Sequence, residues 1–152
     1  EPKKIYRAFK EEGPEGDYTI PIGEAKVVRE GRDISIITWG AMVPLCKGVA
    51  EEAKGTDIEV IDLRTLSPID ITAIRTSVEK TGRAVIVHEA PRSCGLGAEV
   101  AALIGEKSLL YLKAPIERVA GFDTPFPIYK LEKYYLPDAA RVMRAVERAM
   151  RY

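Results

Sequence analysis

Four residues whose types could do chemistry fall within one stretch, AVIVHEAPRSCGLGAE at 84–99: His88, Glu89, Arg92 and Cys94. A base, a carboxylate, a cation and a thiol so close together are the parts of an activated nucleophile. Their spacing argues against that use. Successive strand residues point to opposite faces, so His88 and Glu89 address one point only if the strand ends between them. Arg92 is the one nearby group in sequence that would lower the pKa of Cys94, and a free cysteine is usually a small buried hydrophobe, which is the expectation for Cys94. His88 stands either as a strand-end histidine bonded to backbone or a carboxylate, or as a group facing a cleft. His88, Glu89 and Arg92 are therefore the candidate cleft residues, with no catalytic residue and no metal ligand assigned.

Positioning them requires a strand, a turn and a helix. Ala84 to Val87 is an uncharged, β-branched run that reads as a strand buried on both faces, and Gly95 and Gly97 let the backbone turn into an alanine-rich helix. Open α/β sheets place polar side chains at the carboxyl ends of such strands, where ligands meet the fold. The 95–99 loop (GLGAE) also has the look of a phosphate cradle, since helix N-termini favour anions. It lacks the third glycine of the dinucleotide fingerprint, and Glu99 in the first turn would repel phosphate. The alternative is that Gly97 permits close helix-to-strand packing while Glu99 complements the helix dipole. A free-standing doubly wound domain binding a small anion or nucleotide at Gly95 to Glu99 stands as the second functional reading.

The rest of the chain repeats the strand and helix alternation. Residues 1–24 mix charges, glycines and prolines without a period and read as a strap or linker, leaving 25–152 as one domain. Residues 25–29 form a short edge strand ending in a turn at 30–33, from which the next strand at 34–39 can return antiparallel. Met42, Cys46, Val49, Ala50 and Ala53 make one helical stripe closing near Gly55. A strand follows at 58–63, then a loop in which Asp62 and Arg64 are placed to pair. Asp70 caps a helix carrying Ile71, Ile74 and Val78, which Thr81-Gly82 stops before a central strand at Ala84. Val100, Leu103 and Ile104 continue the next helical face, and 116–120 is the last core strand. Residues 121–137 read as a packed irregular segment. Asp138 caps a terminal helix with Val142, Met143, Val146, Ala149 and Met150 buried. The alternation predicts a largely parallel sheet with helices on both faces.

Composition narrows the function. The chain has 152 residues, enough for one domain burying roughly 70% of its unfolded surface. Lys+Arg and Asp+Glu both total 23, so there is no basic excess for nucleic acid or an anionic membrane. Two cysteines without CxxC spacing and a single histidine argue against zinc and a disulfide framework, and point to a reducing compartment. No apolar run approaches the ~20 residues of a membrane span. The first residue is Glu1 rather than Met, which suggests that the gene begins upstream.

Several blocks carry a specific resemblance: IDLRTLSPID at 61–70, KTGR at 80–83, VHEAP at 87–91, GLGAE at 95–99, APIERV at 114–119 and GFDTPFP at 121–127. In this order they resemble the C-terminal, transketolase-like domain of the E1 β subunit of 2-oxo acid dehydrogenase complexes. APIERV and DTPFP resemble the branched-chain type more than the pyruvate type. The resemblance implies an α/β fold, a three-layer αβα sandwich on a five-stranded, mostly parallel sheet with one antiparallel edge strand.

It also implies a division of labour. In this family thiamine diphosphate and Mg²⁺ lie between an E1 α subunit and the N-terminal domain of β, and the chain has no Gly-Asp-Gly motif followed by Asn to hold the metal. The whole enzyme decarboxylates a branched-chain 2-oxo acid and acylates lipoyl-E2. This chain is expected to bind no cofactor and to be inactive alone, acting in assembly and docking. Its implied partners are the α subunit, the N-terminal domain of β, a second β copy and the subunit-binding domain of E2. Its implied docking residues are Lys113, Glu117, Asp123 and Tyr152. Tyr152 would offer an aromatic ring and a terminal carboxylate that a basic side chain can pair with. Lys113 stands where many relatives carry an acid, which moves or weakens that contact. The implied setting is cytoplasmic, or the mitochondrial matrix in a eukaryote.

Overall fold

Apolar β-branched runs make the core strands. The computed structural model describes residues 5, 6, 8, 10 and 12–152. Its strands are β1 (Lys26–Arg29), β2 (Ile34–Thr38), β3 (Ile58–Asp62), β4 (Ala84–Pro91) and β5 (Glu117–Gly121). The helices are α1 (Met42–Glu52), α2 (Ile71–Thr81), α3 (Leu96–Ser108), the single turn α4 (Glu132–Tyr135) and α5 (Ala139–Met150). The sheet order is β1-β3-β2-β4-β5, with β1 antiparallel to β3 and every other pair parallel. Residues alternate between two cores. Ile34, Ile36, Val60, Val85 and Val87 pack with Cys46, Val49, Val142 and Val146 of α1 and α5. Ile37, Ile61, Ala84 and Ile86 pack with Ile74 and Val78 of α2 and Val100 and Ile104 of α3. Helices on both faces make the expected three-layer sandwich.

Caps fall where residue types put them. The Asp70 carboxylate accepts from the Ala73 N–H that opens α2 and from Ala25 N–H, both at 2.9 Å, so one side chain caps a helix and ties the entry to β1. Asp138 accepts from Arg141 N–H at 2.7 Å, and Gly82 ends α2 at φ 76°.

Several expectations are corrected. The 30–33 turn does not make a hairpin. Arg32 and Asp33 N–H both bond to the Asp57 carbonyl, and a Cβ on Gly31 would come within 2.2 Å of Glu59 N. The chain therefore crosses over the start of β3, which inserts between β1 and β2. The middle of the sheet is β2, and β4 lies one place from the edge. Asp62 and Arg64 form no ion pair; Asp62 accepts from Arg64 N–H at 3.0 Å and holds Arg64 at φ 54°. Ile71 is exposed, and Ala145 rather than Met143 completes the buried stripe of α5. The 121–137 segment holds a 3₁₀ turn and α4, and most of its large apolar side chains face outward.

A polar network also crosses the core. Glu59 is 1% exposed; it accepts from Ser77 Oγ and from Lys80 Nζ, and Lys80 also reaches Glu30 at 2.9 Å. Ser35 Oγ lies 2.6 Å from Ser77 Oγ and 2.8 Å from Thr81 Oγ1. Its members lie as far as 50 residues apart in sequence.

Candidate functional site

The sheet order reverses between β2 and β4, and in open α/β folds the crevice at that switch point, beyond the carboxyl ends of the strands, is where ligands usually bind. Here Trp39 follows β2 and His88 lies near the end of β4, and their rings stack at 5.3 Å with 6° between planes. The imidazole is 1% exposed. The first turn of α3 closes over it: a Cβ on Gly97 would come within 2.3 Å of His88 Nε2, and one on Gly95 within 2.3 Å of the Pro91 carbonyl. The crevice is thus filled by the protein's own side chains. The phosphate cradle considered for Gly95 to Glu99 has no room beside this ring, and Gly97 serves helix-to-strand packing.

His88 makes no hydrogen bond through either ring nitrogen. The expectation of a bonded strand-end histidine is corrected on that point. Burial, and secondarily the Arg118 guanidinium, push its pKa below the ordinary value. A neutral imidazole is what such a pocket holds.

The candidate cleft residues do not converge. His88 faces the α2–α3 layer. Glu89 lines a different cavity of about 520 Å³ together with Pro91, Phe126, Tyr135 and Leu136. Arg92 turns to β5, its Nη1 donating to the Arg118 carbonyl at 3.1 Å while Arg118 Nη1 donates to the Arg92 carbonyl at 3.2 Å. Cys94, expected to be buried, is exposed in a left-handed conformation at φ 57°. The buried thiol is Cys46, whose pKa burial pushes up to about 12.

The docking candidates divide between the two ends of the sheet. Glu117 opens β5 and is held by Arg148 at 2.7 and 3.0 Å, so its charge is already engaged. Lys113 N–H bonds the Gly82 carbonyl at 2.8 Å, and its stem lies over that glycine. The last turn of α5 reaches the same end, where Arg83 Nε donates to the Ala149 carbonyl at 3.1 Å, and the exposed Tyr152 follows. Asp123 lies beyond the opposite end of β5 and accepts from Ser93 N–H and Oγ, each at 2.8 Å. Those bonds hold its pKa below the ordinary carboxylate range.

Sequence reasoning missed the arginines gathered on β5. Arg141, Arg144 and Arg148 recur at i, i+3 and i+7, a spacing that puts them on one helix face. That spacing was the available signal. Arg141 Nη2 donates to the Ala120 carbonyl, so the alternate carbonyls of Arg118 and Ala120 on the edge strand are capped by guanidinium groups. Such capping blocks the pairing of a sixth strand.

For the thiamine diphosphate and Mg²⁺ of the resembling enzymes, the chain offers no matching donor set. Among the described residues no three His, Cys, Asp or Glu side chains converge as a metal site, and the Gly95 turn is filled by His88. No helix among the described residues is long and apolar enough to cross a membrane.

Comparison with known proteins agrees with this architecture. The family model "Transketolase, C-terminal domain" matches residues 23–142. The 2-oxoisovalerate dehydrogenase subunit beta of Dictyostelium discoideum is 48% identical over 155 residues, covering 100% of this chain and 42% of that protein. The pyruvate dehydrogenase E1 component subunit beta of Staphylococcus aureus is 50% identical over 151 residues, covering 98% of this chain and 46% of that protein. The chain therefore spans less than half the length of these relatives. A solved split-gene transketolase, an inactive beta4 tetramer, superposes with a TM-score of 0.77 at 29% identity over 89% of this chain and 44% of that one. A 2-oxoglutarate:ferredoxin oxidoreductase from Magnetococcus marinus shares the fold alone, at TM-score 0.55 and 12% identity. The antiparallel strand beside a parallel sheet, the filled switch point and a family match across most of the chain lead to one conclusion: this chain belongs to the transketolase C-terminal domain family, among the E1 β subunits of 2-oxo acid dehydrogenases.

Proposed function

We propose that this chain is the assembly and E2-docking domain of the β subunit of a thiamine-diphosphate-dependent 2-oxo acid dehydrogenase, of the branched-chain type. The observation that carries the reading is apolar surface left uncovered. Phe122, Phe126, Ile128, Tyr129, Leu131 and Tyr134 are all more than half exposed along the segment between β5 and α5, with Ile128 and Tyr129 at 85%. Leu109, Leu110 and Tyr111 form a second exposed group after α3, beside Lys113. Apolar patches of this kind are what subunit interfaces bury. Partners of matching character are the α subunit, the N-terminal domain of β, a second β copy and the subunit-binding domain of E2. Lys113, Asp123 and Tyr152 are the exposed groups that would set partner choice, since rim charges act on specificity and encounter rate more than on affinity.

Branched-chain specificity rests on the APIERV and DTPFP blocks and on the 2-oxoisovalerate relative; overall identity does not separate the two substrate types. Thiamine diphosphate supplies the carbanion chemistry of decarboxylation in such enzymes. The residues here hold the scaffold and exclude water from its core, and the assembled enzyme works in the cytoplasm or the mitochondrial matrix. Release of labelled carbon dioxide from 2-oxoisovalerate tests the reading. The chain alone releases none, while a full-length β with its α subunit does, and deleting this domain from β abolishes assembly and turnover. Turnover by the chain alone, or an α–β assembly that survives the deletion, would overturn it.

A further inference from the structure

Strand β5 and helix α5 enclose a cleft of about 210 Å³ lined by Arg92, Arg118, Arg141, Arg144 and Arg148 together with Val119. Most of these guanidinium groups are oriented by neutral acceptors. Arg92 and Arg118 exchange bonds with each other's carbonyls, and Arg141 donates to the Tyr135 and Ala120 carbonyls with its guanidinium 4.7 Å above the Phe122 ring. A carbonyl fixes an arginine without cancelling its charge. Among the described residues, Glu117 is the only carboxylate ion-paired with any of the five, and it serves Arg148. Asp123 and Asp138 act on Arg92 and Arg141 through space. Arg144 makes no hydrogen bond or ion pair, and its charge works against that of Arg141. The result is a small, pre-oriented and under-compensated positive cleft.

We infer that this cleft binds a small dianionic oxyanion of the phosphate class, either free phosphate or the terminal phosphoryl group of a small phosphorylated compound. Guanidinium forks match phosphate oxygens bidentately, and groups held before the ligand arrives lose little entropy on binding. The cleft has room for one phosphoryl group and a few waters rather than a length of peptide. The site is separate from the docking role proposed above, and it stands or falls without it.

The test titrates inorganic phosphate, and separately a nucleoside monophosphate, into the protein purified in its native assembly, at an ionic strength fixed with chloride. Binding is read by calorimetry and by the ³¹P shift. Saturable one-site binding is expected. Equal affinities identify the free ion as sufficient, and tighter binding of the nucleotide assigns the site to a phosphorylated compound. Arg144→Gln removes a guanidinium with no structural bond and weakens binding at least about tenfold, the loss of one charge-assisted interaction. Arg118→Gln does the same, while Lys107→Gln, an exposed cation on α3, leaves it unchanged. Failure to saturate, binding that persists in both arginine variants, or binding of an acidic peptide but of neither phosphate compound would overturn the inference.

Discussion

The chain contains one histidine and one tryptophan, and the structure stacks one on the other. That makes the buried imidazole readable without interference. His88 has no hydrogen-bond partner at either nitrogen and has a pKa below its ordinary value of 6.5. The unfolded chain takes up a proton near pH 6.5, whereas the native state resists protonation until a lower pH. Above 6.5 the imidazole is neutral in both states and contributes no pH dependence. As pH falls from 6.5 towards the folded pKa, the unfolded state binds the extra proton and stability declines, by at most about 1.4 kcal/mol per pH unit for one group. Glu30 and Asp123 have lowered pKa values, so their contribution is present above about pH 4.5 and is lost only below it. Between pH 5 and 7 the slope therefore belongs to His88. Urea unfolding followed by Trp39 fluorescence at half-unit steps of pH measures it. His88→Leu abolishes the slope. At pH 7 this variant loses a stacked ring contact, about 0.5–1.5 kcal/mol. It also relieves unsatisfied buried nitrogens, each costing about 1–3 kcal/mol. The net expectation is neutral to about 1 kcal/mol more stable. A wild-type profile that is flat from pH 5 to 7, or a slope that survives in His88→Leu, would refute an unpaired and water-excluded imidazole.

Other perturbations follow from the same packing. Gly97→Ala drives a methyl group into the His88 ring and destabilises by about 1–3 kcal/mol in urea, as overpacking does. In the His88→Leu background that cost changes because the two sites touch, and strict additivity in a double-mutant cycle would contradict the contact. Lys80→Met leaves the buried Glu59 carboxylate with Ser77 alone; the loss is about 2–4 kcal/mol, the lower part of the range for a broken buried pair because Lys80 is partly exposed. Glu30→Gln, at the outer end of the same chain of charges, changes stability far less, and equal losses would count against the burial of Glu59. Asp70→Ala removes a helix cap and the tie to Ala25, so its cost exceeds the about 1 kcal/mol of a cap alone. Amide exchange then rises at Ala25 as well as at Ala73, and exchange confined to α2 would show that the tie to β1 does not form.

Much of the architecture was legible because single residues speak for it. Ile34, Ile36 and Ile37 in an unbroken apolar run can only be a strand covered on both faces, and Asp70, Gly82 and Asp138 are of types that cap helices wherever they stand. Pairing was less legible. The Gly31 turn has hairpin composition, yet its glycine is required by the backbone of β3, which arrives 27 residues later in sequence as judged from Ile58. The antiparallel edge came from the family resemblance, not from the turn. Polar contacts were the least legible. Nothing near Ser35 in sequence announces Ser77 or Thr81, and the arginine cleft draws on three separate segments. The exposure of 121–137 was misread because aromatic residues ordinarily seek a core, and here they lie uncovered on the surface of the domain.

The most direct measurement of the central claim is calorimetric titration of the isolated subunit-binding domain of E2 into this chain. A domain that serves docking gives a saturable complex of defined stoichiometry, with a negative heat-capacity change from burial of apolar surface. Absence of any binding heat over a temperature series, with the chain folded by its Trp39 fluorescence, would contradict a docking role.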